Sequence, residues 1–544
     1  MARSKFLTGC VTLVLLALGL VIFGRSLIRG NDNAIDEIDA DETAGRFEAS
    51  PALRSDGLPT DGRVGADMER IRIAYRNAVR LQKIQPPAAL IEKLELRPEV
   101  GSENVKLASE YSESDLSYQP EGTLLVNDVP YWSYYSLKKG SSHVLHPMRM
   151  GRFLGENAKS ARANEIATAV LGMAYELPNG GLAWYYPRHY AVSRMMGHDL
   201  KYSCISQGSL LSGFIEYEEH NKGIELDIAR RAFLAMMWPY EKSGVNLSGV
   251  AVLEMPSFSG APEIILNGWI DSLLNIREYA QLRDDDEAWA FFRRNIAFMA
   301  EILPVFDAPE ANISRYSDLS PYRATVTLAE AKDVASLEVL YMPRHRALEP
   351  VLVPLSLTPD ASNFSIYENQ IVAQQDSVAM AWISCSQLYD TVLMARTDAM
   401  SLVLDKGVIH RERTTPGFGG EEFVCEGVAL GEGIRAATLS SEDGLICGYP
   451  TNFLKKGKTN SYHVYHAVGL MILALGDGIN DVEQKRVLLE WAIKWHGDMQ
   501  ILEETEALNF MSEQLWFERL NRGRSVVPQK NFDALMDAAK ALVK

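Results

Sequence analysis

The chain is expected to be mainly α with a β domain, an α/α toroid-like helical domain carrying an inserted β-sandwich-like domain. Three observations predict this. From about residue 160 apolar residues recur at three- and four-residue spacing in paired segments joined by short turns. Between about residues 335 and 449 the pattern switches to short runs rich in Val, Ile and Leu, separated by Gly, Pro, Asp and Asn. Helical spacing then resumes at Tyr462. Helical hairpins with no strands between them bury their apolar faces by ringing one another, which leaves one end open to a ligand.

Taken in order, Phe6 to Gly24 is apolar and uncharged. It is about 19 residues long, or roughly 28 Å of helix, enough to cross a hydrocarbon core of about 30 Å. No Ala-x-Ala-like cleavage site precedes Arg25, so residues 1–30 read as an uncleaved signal anchor, with the body expected outside the cytoplasm. Residues 31–60 carry Asp32, Asp36, Glu37, Asp39, Asp41 and Glu42 with little apolar content, as an acidic, disordered tether does. A first helical part is expected over residues 61–330. It opens with a helical segment from about Gly65 to Leu96, interrupted at Pro86-Pro87, and a strand-like stretch from Gly122 to Lys139. The helical pairs follow in Ala161–Tyr175, Ile205–Glu219, Glu225–Trp238, Pro262–Gln281 and Asp286–Leu303. The β-rich insert is placed at 331–455, with runs at Leu337–Tyr341, Pro350–Leu357, Val378–Ser384, Thr391–Ala395, Ser401–Leu404, Phe423–Ala429 and Ile434–Leu439. Residues 456–544 close the helical domain through Tyr462–Leu475, Val482–His496, Leu502–Arg519 and Phe532–Val543.

A formal charge of −17 argues against nucleic acid as partner, since phosphate binding needs an excess of Lys and Arg on some face. An acidic polysaccharide remains allowed, because a local cationic groove can sit on an acidic protein. The membrane enters as a partner through the N-terminal anchor, and a homodimer is left open. Outside the anchor Cys204, Cys385, Cys425 and Cys447 allow two disulfides in any of three pairings, and their irregular spacing does not suit zinc. Asn246-Leu-Ser, Asn312-Ile-Ser and Asn363-Phe-Ser are glycosylation sequons, relevant in a eukaryotic host.

The most chemically suggestive stretch is Asn460-Ser461-Tyr462-His463-Val464-Tyr465-His466, at the head of an apolar run. Asn or Ser before such a run starts a helix, and the free amides and positive dipole end of its first turn favour an anion. Tyr462 and His466 lie four apart and share a face, and Lys455, Lys456 and Lys458 add positive charge upstream. Tyr and His at the top of a buried helix also suit plain packing, and no neighbouring ligand completes a zincin-like metal site. Other clusters are Asn179-Gly180-Gly181 leading to Trp184-Tyr185-Tyr186-Pro187, Tyr202 to Gly208, Leu253-Glu254-Met255-Pro256 before Ile265-Leu266-Asn267-Gly268-Trp269, and Ile313-Ser314-Arg315-Tyr316-Ser317-Asp318-Leu319. Each alone also suits a turn between helices.

In this order the clusters resemble the C-terminal catalytic domain of the heparosan and heparan-sulfate D-glucuronyl C5-epimerases. That family's pattern has a Gly-Gly-Trp-Pro-like turn, a Gln-Gly helix start, Glu-Tyr-Pro before Leu-Asn-Gly, then Tyr-Asp-Leu and Tyr-His-x-x-His. Here Met255 stands where the family has a tyrosine, Ser317 is added within Tyr-Asp-Leu, and the β-rich insert separates the last two motifs. The resemblance implies inversion at C5 of a glucuronyl residue in a polysaccharide by removal and return of a proton. Glu254 and Tyr462 become the proton-transfer groups and Tyr316 the hydroxyl at the substrate carboxylate. Trp184, Tyr186, Arg188, Gln207, Asn267, His463, His466 and Lys458 become substrate-binding residues. Neither a cofactor nor a metal is implied. Competing readings are a uronate lyase, which begins with the same proton abstraction, a non-catalytic glycan-binding or assembly protein, and a glycoside hydrolase, which needs a second carboxylate beside Glu254.

Overall fold

The computed structural model describes residues 62–81, 100–101, 116–118, 123–126, 129–136, 140–186, 202–221, 227–254, 256, 261–309, 311–357, 370–373, 377–404, 409–410, 413–414, 423–431, 433–440, 447–448, 459–506, 508–521 and 526–544. The Phe6–Gly24 span, the acidic tether, Arg188, Met255 and the lysines at 455, 456 and 458 lie outside them. Among the described residues no helix is long and apolar enough to cross a membrane.

Helix and sheet are mixed. Helix α1 (Gly62–Arg80) comes first, then five antiparallel strands, β1 (Val100–Gly101), β2 (Leu116–Tyr118), β3 (Thr123–Val126), β4 (Val129–Ser136) and β5 (Gly140–Val144), in the order β1-β5-β4-β3-β2. Four helix pairs follow: α2 (Pro147–Glu156) with α3 (Ala163–Leu171), α4 (Cys204–His220) with α5 (Ile228–Met236), α6 (Leu266–Arg283) with α7 (Asp286–Ile302) and, far downstream, α8 (Tyr462–Leu475) with α9 (Val482–Glu506). The pairing follows from sequence. Between α6 and α7 only Asp284 and Asp285 intervene. Asp284 takes the left-handed conformation that ends a helix, and the Asp285 carboxylate accepts from the Ala288 amide to start the next. So short a link makes the partners antiparallel. Trp269 near the start of α6 accordingly donates to Asn295 in the second half of α7, at 2.9 Å.

The first helices of the four pairs run the same way. Ser209 of α4 donates to the Met148 carbonyl of α2, and Gly213 meets Gly155 one to two turns on. Cys204, Gly208 and Ser212 of α4 meet Gly268, Asn275 and Glu278 of α6 in that order. Tyr465 of α8 donates to Asp271, and the Ile472 carbonyl accepts from Arg277. Glycines let these helices touch: a Cβ at Gly151 would lie 2.4 Å from the Ser209 backbone and one at Gly469 2.6 Å from Ile270.

Between α7 and α8 lie β6 (Leu319–Leu328), β7 (Glu338–Pro343), β8 (Val351–Pro354), β9 (Ser356–Leu357), β10 (Gln370–Ala373), β11 (Val378–Ser386), β12 (Tyr389–Arg396), β13 (Met400–Leu404), β14 (Phe423–Glu426), β15 (Val428–Gly431) and β16 (Ile434–Leu439). They form a six-stranded sheet in the order β9-β10-β11-β6-β13-β14 and a five-stranded sheet in the order β8-β7-β12-β16-β15. All pairs are antiparallel except β9 with β10. Alternation along β7 serves two cores. Val339 and Tyr341 join the main core shared with the helices, while Leu340 and Met342 meet Ile71, Ala74 and Ala78 of α1.

Several elements depart from the sequence reading. Short strand pairs, Tyr175–Glu176 with Leu182–Ala183, Asn246–Leu247 with Ala251–Val252 and Asp307–Ala308 with Ile313–Ser314, lie between helices where none was expected. Strand β6 was not expected. Pro321 lies within it, but only β11 pairs there, since β13 joins at Ala324 and beyond, so no ladder donor is missed on that side. Helix α2 was also unexpected; Pro147 occupies its first position, where a missing N–H costs nothing. The helix expected over Leu502–Arg519 breaks in two. Asn509 and Phe510 pair with Thr459 and Asn460, so α9 stops at Glu506 and α10 (Glu513–Asn521) starts afresh, before α11 (Phe532–Val543).

Candidate active site

The heads of α4, α6 and α8 share one end, and the candidate residues are threaded through it. The hairpin Asn246–Leu247 with Ala251–Val252 delivers Leu253, whose carbonyl accepts from the Cys204 amide at 3.1 Å. Glu254, the next residue, therefore lies half-buried over the start of α4. Its Oε2 accepts from Asn267 Nδ2 at 3.4 Å. Gly268 makes room for it, since a Cβ there would stand 2.1 Å from that oxygen. Burial pushes the Cys204 thiol up, and the nearby Glu254 and Asp271 carboxylates add to the effect.

The segment carrying Tyr316 lies beside the chain that leads into α6. Leu266 N–H donates to the Tyr316 carbonyl at 3.1 Å, Ile265 and Ser317 form a bridge, and Ile264 N–H donates to Asp318 Oδ1 at 2.8 Å. Asn267 and Tyr316 are thereby brought to one place. Asp318 is fully buried, which raises its carboxyl to about 7. Bonds from Ser386 and Ile264 work against that rise and Glu263 works with it. Arg315 points the other way, donating to the carbonyls of Asp307 and Gly448 at 3.1 and 2.8 Å. Gly448 adjoins the Cys385–Cys447 disulfide, with Cα atoms 5.1 Å apart. Its φ is +82°, and a Cβ would reach within 2.8 Å of the Ser317 carbonyl. One of the allowed disulfides thus forms, and among the described residues neither Cys204 nor Cys425 is in a disulfide.

Tyr462 opens α8 after the Thr459–Asn460 strand, fixed in turn by the Met511 amide on the Asn460 carbonyl at 2.8 Å. Its ring meets that of Tyr316 edge-to-face, centroids 5.0 Å apart at 67°. Tyr316 is 9% exposed and Tyr462 half-buried. The structure therefore gathers Glu254, Asn267, Tyr316 and Tyr462 around the heads of α4, α6 and α8.

The other sequence candidates lie deeper. His463 and His466 are 1% and 0% exposed, and both present Nδ1 to Ser314. Burial holds His463 down to about 3 and His466 well below its usual value, so both are neutral. Trp184 donates to the Val170 carbonyl at 2.7 Å, and Gln207 to those of Leu182 and Ala232, all within the core. Tyr186 bonds Ser206 and meets His146 edge-on at 5.3 Å. Among the described residues no group of three or more His, Cys, Asp or Glu is placed to hold a metal ion. Ser314 and Gly268 were present in the motifs without a role. Their contacts join residues far apart in the chain or across an interface, and no spacing signal announces them.

Carboxylates and phenols collected over the heads of like-directed helices are groups that can take up and give back protons. Residues 180–342 match the family model described as D-glucuronyl C5-epimerase C-terminus, in agreement with the resemblance drawn from the motifs. A domain of this family implies an isomerase of the epimerase type. The matched stretch contains Glu254, Asn267, Gly268 and Tyr316 and ends inside β7, so Tyr462 lies beyond it. No curated protein matches the chain.

Proposed function

We propose that the protein inverts C5 of D-glucuronyl residues within an acidic polysaccharide, with the like-directed helices as the inner wall of an α/α toroid and the N-terminal apolar span as its membrane anchor. The C5–H bond breaks as one group takes the proton, and the electron pair passes into the adjacent carboxyl group as an enediolate. A second group then returns a proton to the opposite face. Glu254 and Tyr462 take these two roles, and Tyr316 donates to the carboxyl oxygen on which charge accumulates. The two roles need groups on opposite sides of a sugar ring. The observation that carries the reading is that the chain of contacts from Glu254 through Asn267 and Leu266 to Tyr316 ends on Tyr462, with the two phenols in ring contact.

The test is incubation of the full-length chain with heparosan in deuterated water. Deuterium at C5 with unchanged chain length is the expected result. A shortened chain bearing an ultraviolet-absorbing unsaturated uronate would replace the reading with a lyase, and no label and no cleavage would remove it for this polymer.

A further inference from the structure

We infer that Ser314 is a positioning residue that sets the approach of Tyr316 to Tyr462, by binding two neutral imidazoles of α8 at once. The inference deepens the proposed epimerase site and rests on that reading for its effect on turnover, though not for its effect on geometry.

Ser314 lies two residues before Tyr316, in the short strand Ile313–Ser314, and is fully buried. Its backbone N–H donates to His463 Nδ1 at 3.0 Å, and its Oγ lies 2.9 Å from His463 Nδ1 and 2.9 Å from His466 Nδ1. An imidazole nitrogen that accepts from a backbone N–H carries no proton. His463 is therefore the Nε2–H tautomer, its single Nδ1 lone pair already engaged by the amide. The Ser314 hydroxyl lies between His463 Nδ1 and His466 Nδ1, and the tautomer of His466 decides to which of the two it donates. The amide and hydroxyl of one residue thus grip two α8 side chains three residues apart, one adjacent to Tyr462 and the other one turn below it. Trp495 of α9 backs both rings at 6.5 and 6.1 Å.

This grip links the segments that carry the two tyrosines, in addition to their own ring contact. Tyr462 rides on the helix that the imidazoles belong to, and Tyr316 on the strand that Ser314 belongs to. The two sides are 149 residues apart in sequence at Ser314 and His463, so no local backbone geometry fixes their spacing. Burial keeps both histidines neutral. A neutral pair can be packed this close without charge repulsion, and it accepts from a serine that a protonated pair would leave without acceptors. Neither imidazole therefore has to meet substrate to matter to the site.

The test uses the full-length chain labelled with 3-fluorotyrosine, with Tyr316→Phe and Tyr462→Phe assigning the two ¹⁹F signals. Ser314→Ala should move or broaden both signals and leave that of Tyr217, at the far end of α4 and assigned by Tyr217→Phe, unchanged, and Ser314→Thr, which keeps the hydroxyl, should return them. With heparosan, Ser314→Ala should lower kcat about 10- to 100-fold with KM changed less than about 3-fold, the size expected of a small displacement of catalytic groups, and Ser314→Thr should recover most of it. Unshifted ¹⁹F signals in Ser314→Ala overturn the inference whatever the activity. Absence of C5 exchange in the wild-type chain removes the proposed function instead, while the ¹⁹F result still decides the positioning role.

Discussion

Gly268→Ala separates the geometry of Glu254 from the stability of the fold. The added Cβ would lie 2.1 Å from Glu254 Oε2 and 2.8 Å from both its Cβ and its Cδ. Rotating the carboxylate aside relieves the first contact but not the one at Glu254 Cβ, so the side chain must retreat as a body, by about 1 Å to regain ordinary van der Waals distance. Misplacing a reacting group by about 1 Å costs on the order of 10²-fold in rate. Stability should change far less. Ala is favoured over Gly inside a helix by roughly 0.5–1 kcal/mol, which offsets part of the roughly 1–3 kcal/mol of overpacking. The expected signature is about a 100-fold drop in kcat for C5 exchange, with a melting temperature near that of wild type. Gly497→Ala, in α9 with nothing within 4 Å of the added Cβ, is the control and should leave the rate unchanged. Wild-type turnover in folded Gly268→Ala would mean that Glu254 does not act from its position over α6, and the assignment of its role would be withdrawn.

Tyr462→Phe keeps the edge-to-face contact with Tyr316 and removes only the hydroxyl. Turnover should fall about 10²- to 10⁴-fold with an unchanged circular-dichroism melt, and a rate within twofold of wild type would exclude Tyr462 as a proton-transfer group. Asp318 binds its proton more tightly in the folded chain, at about 7 against 3.8. Its contribution to stability is therefore fully present below about 3.8 and lost as pH rises through about 7. Asp318→Asn, which can still accept from Ile264, should gain in melting temperature relative to wild type as pH rises over that window; a constant difference would show that Asp318 titrates normally. The Cys385–Cys447 disulfide spans 62 residues, for which loop-closure entropy gives about 4 kcal/mol. Cys447→Ser should lower the denaturant midpoint accordingly, and a midpoint equal to wild type under non-reducing conditions would show that the bridge contributes nothing.

Much of the scaffold was legible because its cues are local. Apolar spacing at three and four residues located α6, α7 and α11, and the structure adds the caps at Asp285 and Asn531 that start two of them. Val/Ile/Leu runs gave most of β7 to β16. Strand β6 was hidden by Pro321, which is harmless only because of where β13 ends, a fact of pairing and not of composition. The break after α9 was hidden because Asn509 and Phe510 are captured by Thr459 and Asn460, some fifty residues earlier. At the site, the family resemblance makes Trp184 and Gln207 substrate-binding residues. Only the structure reveals the carbonyls of Val170, Leu182 and Ala232 that they hold. Tyr316 and Tyr462 could be nominated from motif order, whereas Ser314 becomes visible only when α8 is laid against it.

Helix α8 is buried along nearly its whole length, yet its groove on α6 is made nearly two hundred residues earlier, as the Arg277 bond to the Ile472 carbonyl illustrates. During synthesis that groove must wait, uncovered, for both large sheets to emerge before its occupant arrives. Ile270 and its neighbours then present an apolar face to whatever else is at hand, the circumstance in which nascent chains recruit chaperones or aggregate. A copy truncated before Tyr462 is consequently not a smaller protein but an unfinished one, with the apolar face that α8 covers left open.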